Sequence, residues 1–430
     1  MNTAVASVAR AASKYRWTVC ALLFFATVIN YMDRQILGLL APMLQHDIGW
    51  TQVQYGRIVI AFSAFYAVGL LCFGRIVDWL GTRVSYALAM FIWSIAAMLH
   101  AAVGSVMGFA AVRALLGIGE GGNFPAAIKT TAEWFPRRER ALATGIFNSG
   151  ANIGAVFAPA LIPALAVAFG WRSAFVMVGA IGLVWLAVWF VMYREPDGSA
   201  IEDDIANEGD EAKAADAANA KAGAPGFKVL IKKRETWAFI VGKFLTDPVW
   251  WFYLFWLPKW LNESRGMDMQ HIGLPLVVIY AITTVGSIGG GWISSALLLR
   301  AGWTVNAARK TAMLICACAV LPIAFVSQAE NLWVAVAIVG LAAAAHQGWS
   351  ANLFTTASDL FPRRAVGAVV GIGGMAGSIG GVLFSEVIGQ VLQRTGHYWV
   401  LFAIGASAYL IAFAIMHILT PKMTPAKLGA

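Results

Sequence analysis

The sequence predicts an all-α membrane protein of twelve transmembrane helices, arranged as two pseudo-symmetric six-helix bundles. Three observations carry that reading. Of 430 residues, 60% are hydrophobic and only 12% charged, whereas soluble domains carry roughly 25% charged residues. Apolar runs of roughly 20 residues recur along nearly the whole chain, the length that crosses about 30 Å of hydrocarbon. Finally, the motif Phe135-Pro136-Arg137-Arg138 returns as Phe361-Pro362-Arg363-Arg364, each copy preceded by Thr-Thr-Ala, at Thr130 to Ala132 and at Thr355 to Ala357.

Taken in order, Met1 to Arg16 reads as a mildly basic tail. The first span follows near 17–43, too long and too polar at its far end for a cleaved signal peptide. The second and third spans lie near 55–79 and 84–104, and the fourth, near 107–133, is read as one continuous helix up to the first Phe-Pro-Arg-Arg turn. The fifth and sixth, near 139–168 and 172–193, complete a first bundle over 1–194. Between Arg194 and Glu235 the apolar pattern stops. The stretch from Ser199 to Gly226 is rich in Ala, Asp, Glu and Lys and cannot bury enough apolar surface to fold alone. It reads as a flexible cytoplasmic linker over 195–235, partly helical, with a regulatory binding segment as the alternative. The second bundle, 236–430, holds spans near 236–261, 270–299, 308–327, 331–359, 364–393 and 398–420.

Alternate loops differ in Lys and Arg. The richest are those of Arg137, Arg138 and Arg140, of Lys228, Lys232, Lys233 and Arg234, and of Arg363 and Arg364. The positive-inside rule puts these loops and both termini in the cytoplasm of a bacterial inner membrane. The net charge of +9 is then a topology signal, and no nucleic-acid partner is expected. Cys20, Cys72, Cys316 and Cys318 all lie inside apolar runs, which indicates neither a disulfide framework nor a zinc site. No metal-spaced cluster, phosphate-cradling loop or catalytic triad is present, so no metal, cofactor, ATP-driven pump or enzyme is expected.

Sliding one half onto the other superposes Gly145 on Gly371, Gly154 on Gly380 and Gly170 on Gly396. A parallel repeat of this kind places a cavity between the bundles near the midplane, and rocking of one bundle on the other alternates access to it.

At the end of the second span stands Gly74-Arg75-Ile76-Val77-Asp78-Trp79-Leu80-Gly81-Thr82-Arg83, which resembles the signature loop of the major facilitator superfamily. The resemblance implies that Asp78 and Arg83 clamp the cytoplasmic side in the outward-facing state. Trp79 replaces the usual basic residue, and the matching loop of the second half, Gly290 to Ser294, lacks the acid. Within that superfamily the chain resembles the anion:cation symporter group through Asn30-Tyr31-Met32-Asp33-Arg34 and through the segment from Arg113 to Glu120. The segments from Lys243 to Trp251 and from His346 to Asn352 resemble its hexuronate transporters. The resemblance covers the whole chain except the linker. It implies uptake of a sugar acid such as galacturonate or glucuronate together with protons, the proton being the coupling ion, by a monomer in the bilayer. The aldonate-transporting members carry a glutamine where Ala151 stands and an asparagine near Gly374, so galactonate is the less expected substrate. Other organic anions (an aldonate, sialic acid, an aromatic acid) and a transporter-like sensor remain as alternatives. Fixed charges in the spans weigh against multidrug efflux.

Ionisable groups at mid-bilayer depth are costly, so those retained there are functional candidates. Asp33 and Arg34 point about 100° apart on one helix, so one can face the cavity while the other turns toward a neighbouring helix. Arg34 is the best anchor for a substrate carboxylate, because its planar fork makes two charge-assisted hydrogen bonds. Mutual pairing of Asp33 and Arg34 is the alternative. Glu120 lies two helical turns after Arg113 and nearly on its face, as a proton carrier or as a structural pair. The resemblance assigns proton coupling to Asp33 and Glu120. Lys243 and Asp247 stand four apart and read either as a self-cancelling pair or as sugar contacts. Glu386 takes no role.

A sugar acid also needs hydroxyl or amide partners and aromatic platforms. Tyr31, Tyr66, Trp250, Trp251, Tyr253, His346, Gln347, Trp349, Ser350 and Asn352 are the candidates. Asn148 and Asn152, four apart, either read hydroxyls or bridge helices.

Overall fold

The computed structural model describes residues 2–196, 198, 202, 204, 223–267 and 273–428. The described residues are helical almost throughout: α1 (Asn2–Leu39), α2 (Ala41–Ile48), α3 (Gln52–Leu80), α4 (Thr82–Leu99), α5 (Val106–Glu120), α6 (Asn123–Trp134), α7 (Arg137–Phe169) and α8 (Trp171–Met192). After the central segment come α9 (Phe227–Leu230), α10 (Arg234–Arg265), α11 (Gly273–Leu299), α12 (Val305–Val320), α13 (Leu332–Leu360), α14 (Arg363–Thr395) and α15 (Trp399–Leu419). Among the described residues, ten helical stretches are long and apolar enough to span a bilayer. The fourth span, α5 with α6, and the polar-studded α10 complete the twelve. Large apolar side chains such as Val184 and Val191 on α8 and Ile418 on α15 point outward, as a lipid solvent requires.

The fourth span is not the continuous helix expected. It breaks at Gly121 and Gly122, where a β-carbon would lie 2.5 Å from the Leu70 backbone nitrogen and 2.5 Å from the Ala89 methyl, respectively. Pro125, without an N–H, cannot continue the hydrogen-bond ladder across that point. The ninth span departs likewise: α12 passes into a 3-10 helix over Leu321–Gln328, with Pro322 at its start.

The repeated motif makes a repeated turn. Phe135 and Phe361 leave the helix with φ −113° and −119°, and Pro136 and Pro362 start the next one with φ −64° and −61°. The two bundles meet where small residues let backbones approach. A β-carbon at Gly74 on α3 would sit 2.6 Å from the Gly367 carbonyl on α14. On the other side of the pseudo-axis Ser287 of α11 donates to the Gly145 carbonyl of α7 (2.8 Å). These contacts lie in the half of the molecule that carries both chain termini, and they close it.

Buried charges reinforce that closure. Asp78 accepts from the backbone N–H groups of Gly367 (3.1 Å) and Ala368 (2.7 Å) and from Lys129 (3.0 Å). Arg83 does not reach Asp78. It sits beyond the Gly81 turn on α4 and donates to the Phe190 carbonyl of its own bundle (3.4 Å), so Lys129 supplies the cation expected from Arg83. On the second seam Arg309, fully buried, binds Asp359 (2.9 Å), and Arg140 donates across the bundles to the Ser358 carbonyl (2.9 Å).

Most of the linker, including 205–222, lies outside the described residues. Its described edges touch the same seam: Asp204 accepts from the Arg137 N–H (2.8 Å), Arg75 donates to the Pro225 carbonyl (2.6 Å) and Arg364 to the Gly223 carbonyl (2.6 Å).

Candidate functional site

Beyond that closed end a cavity with about 660 Å³ of empty space, some of it open solvent, separates the bundles. Both bundles furnish its wall, and the stacked rings of Phe124 and Phe354 (centroids 5.1 Å apart, 9° between planes), one from each bundle, form its floor. Neither ring stood among the sequence candidates.

On the first bundle, Tyr31 and Arg34 are three residues apart on α1 and so share a face. Both line the cavity with Tyr66 and Asn148. The Arg34 guanidinium rests on three rings, 4.5 Å from the centroid of Tyr66, 4.9 Å from Tyr31 and 5.3 Å from Phe62. Its Nε donates to Glu120 at 2.9 Å. Arg34 therefore pairs neither with its neighbour Asp33 nor with open space, but with the acid from α5.

Glu120, Asp33 and Arg113 do not line the cavity; they lie behind Arg34, buried inside the first bundle. Arg113 donates to the Arg34 carbonyl (3.2 Å), and no Arg113–Glu120 hydrogen bond forms despite the two-turn spacing. Both carboxylate oxygens of Asp33, and Oε1 of Glu120, have no hydrogen-bond partner among the described residues. Such groups are costly to leave buried and ionised, so they call for a proton or for water.

On the second bundle, Lys243 and Asp247 form the intrahelical pair that their spacing allows, at 2.7 Å, and both line the cavity. Lys243 lies 4.1 Å above the ring of Phe354. His346 is fixed by Tyr409 (2.6 Å) and stacked on Trp250 (5.2 Å, 6°). Asn148 donates to Gln347 (2.5 Å), and Gln347 to Asn152 (3.4 Å), so these amides bridge the two bundles across the cavity. Trp251 and Ser350 also line it.

Other candidates fall elsewhere. Trp349 is fully buried edge-on to Tyr409 (5.6 Å), and Asn352 spends its amide on the Gly290 and Gly348 carbonyls (2.9 Å each). Each lies one to two turns from His346 on the face of α13 that packs against neighbouring helices instead of the cavity. Tyr253 is also buried outside it, and Glu386 is bound by Gln390 (2.9 Å). Sequence reasoning gave no site role to Lys129, Arg140, Arg309 or Asp359, and read Arg140 only as a topology signal. The repeat itself carried a signal for two of them, since Lys129 immediately precedes one Thr-Thr-Ala and Asp359 stands two residues after the other.

A family profile of the Major Facilitator Superfamily matches residues 23–385. The chain belongs to the major facilitator superfamily. Among its relatives, the hexuronate transporter of Escherichia coli (strain K12) is 30% identical over 385 residues, spanning 89% of this chain and 88% of that protein. The galacturonate transporter of Dickeya chrysanthemi is 32% identical over 282 residues, 65% of this chain and 81% of that one. A solved proton:xylose symporter bound to 6-bromo-6-deoxy-D-glucose superposes with a TM-score of 0.77 over 97% of this chain and 98% of its own, at 15% identity. The major facilitator fold of this chain is that of a multi-pass membrane transporter, not of an enzyme.

Proposed function

We propose that the chain is a proton-coupled symporter that imports a hexuronate, galacturonate or glucuronate, across the inner membrane, with both termini in the cytoplasm. The Arg34–Glu120 pair at the cavity wall carries this reading. With Glu120 ionised, Arg34 is occupied. A proton on Glu120 releases the guanidinium, whose fork then takes a carboxylate entering the cavity. Loss of the proton returns Arg34 to Glu120 and expels the anion, so substrate and proton travel together. Asp33, buried beside this pair with both oxygens unpartnered, is a second proton site. The sugar ring lies against Tyr31, Tyr66 and Trp251, while Asn148, Gln347 and His346 read its hydroxyls. Closure at the cytoplasmic end leaves this conformation to load from outside.

The supporting relatives are named for hexuronate and galacturonate transport. A titration of purified protein with glucuronate tests the reading. Arg34→Ala abolishes binding, because the carboxylate would leave water without the guanidinium fork that pairs it, and the ammonium of Lys243 is held by Asp247. Arg34→Lys keeps part of it, with charge but no fork. Unchanged affinity in Arg34→Ala removes Arg34 from the site and the proposal with it.

A further inference from the structure

Two seams hold the bundles together, and they end differently where they reach the cavity. Along the first, Leu70 of α3 meets Gly374 of α14, where a β-carbon would lie 2.9 Å from the leucine Cδ2, and both residues line the cavity. That end is apolar. Along the second, Ala141, Gly145, Asn148 and Asn152 follow one another at helical spacing on one face of α7. A β-carbon at Gly291 of α11 would lie 2.2 Å from the Ala141 carbonyl, and Ser287 donates to the Gly145 carbonyl (2.8 Å). One turn further on, Asn148 donates to Gln347 of α13 (2.5 Å) and to Ser287 (3.4 Å), while Gln347 donates to Asn152 (3.4 Å). The second seam therefore ends in side-chain amides, of which Asn148 and Gln347 line the cavity.

This tie breaks as a unit. An amide nitrogen has two donors, and both donors of Asn148 go to the other bundle. A β-carbon at Gly290 would lie 2.2 Å from the Gly348 Cα, so α11 and α13 are packed too closely to slide, and Ser287 moves with Gln347. Parting α7 from them severs all three bonds and leaves buried amides unpaired, which is costly. A tie that only held the bundles together would be sealed inside the seam, as the Ser287–Gly145 bond is. This one is open to whatever enters the cavity. A sugar hydroxyl is donor and acceptor at once, so it can accept from Asn148 while donating to Gln347, giving each amide what it had from the other.

We propose that the Asn148–Gln347 bridge is a latch on the termini-bearing end, undone by the hydroxyls of the substrate. The inference rests on the reading of the cavity as a sugar-acid site and adds the step at which hydroxyls are selected. Arg34 captures the carboxylate, and capture alone leaves the latch shut. Hydroxyls that replace the three bonds across the seam let α7 part from α11 and α13. An anion of the right charge without hydroxyls is then held and not carried, and the empty protein stays closed at that end.

The test is the rate at which a thiol reagent labels Ser358→Cys, a buried position at the closed end, in full-length protein that also carries Cys72→Ser and Cys318→Ser to remove the exposed native thiols. Without ligand, Gln347→Leu and Asn148→Leu each raise the rate about ten-fold, the worth of the hydrogen bonds lost. The double variant labels little faster than either single one, because the two side chains act through one bond. With the latch intact, glucuronate speeds labelling. Cyclohexanecarboxylate, which offers Arg34 a carboxylate on a ring without hydroxyls, does not speed it even at concentrations that displace labelled glucuronate. Ligand-free labelling unchanged in both single variants, a double variant equal to the product of the two, or equal acceleration by the two anions overturns the inference. Glucuronate binding titrated in the same samples reports separately on the proposed function: its absence in the unaltered protein would sink the uronate reading, while the ligand-free rates would still judge the latch.

Discussion

Arg34 gains its importance from what surrounds it. Three aromatic rings carry its guanidinium without neutralising it, and the single acid bonded to it is reached from the far side, out of the cavity. Breaking a buried pair by deleting one partner costs about 3–5 kcal/mol, because the survivor is left charged and unpaired. A neutral Glu120 that keeps its shape is a different matter, since it resembles the protonated state. Glu120→Gln therefore leaves exchange of labelled for unlabelled glucuronate running, while accumulation driven by a proton gradient falls about ten-fold or more. The check is the same vesicle preparation assayed in both modes, and accumulation at the unaltered level in Glu120→Gln would show that this acid is not an obligatory carrier. Which acid Arg34 would choose was not legible in the sequence. Asp33 is adjacent and Glu120 is on another helix, but adjacent side chains on a helix diverge by about 100°, and only the fold, which brings Glu120 to 2.9 Å from Arg34, settles the partner.

At the scale of elements, the apolar runs located all twelve spans, because a bilayer imposes one length on every crossing helix. They did not locate breaks inside a span. The run Gly121-Gly122-Asn123-Phe124-Pro125 holds the signals for an interruption, yet its neighbours are apolar enough to read as continuous helix. The break matters to the site, since it sets α6 off from α5 and lets Phe124 meet Phe354 beneath the cavity. The glycines of α3 and α14 act in the opposite way, by allowing contact. Gly74→Val places a branched side chain where a β-carbon already lies 2.6 Å from the Gly367 carbonyl, so the termini-bearing end cannot close. Transport falls to background while the protein still folds and inserts. Uptake together with labelling of a cysteine placed in that seam checks this, and wild-type uptake would contradict it. Asp78 was legible from its motif, whereas Lys129 was marked only by its place before a repeated Thr-Thr-Ala, with no apolar periodicity to point to its role.

Across the whole molecule, the internal repeat foretold two bundles, and it foretold the two matching turns at Phe135 and Phe361. It could not foretell the conformation. Which end closes depends on seams between the bundles, where Asp78 bonds the first turns of α14 and Arg140 reaches Ser358. Such contacts join residues hundreds of positions apart and leave no pattern along the chain. The seams, the cavity and the acids behind it form one device. In the cycle we propose, charge arriving with the substrate is balanced by protons taken up inside the first bundle, and opening of the closed end then follows. The most direct test is uptake of labelled glucuronate into liposomes holding the purified protein, with the pH inside and outside set independently. The account predicts accumulation above the external concentration when the outside is the more acidic, and loss of that accumulation when a proton carrier collapses the gradient. Uptake that is absent, or that is indifferent to the pH difference, would contradict it.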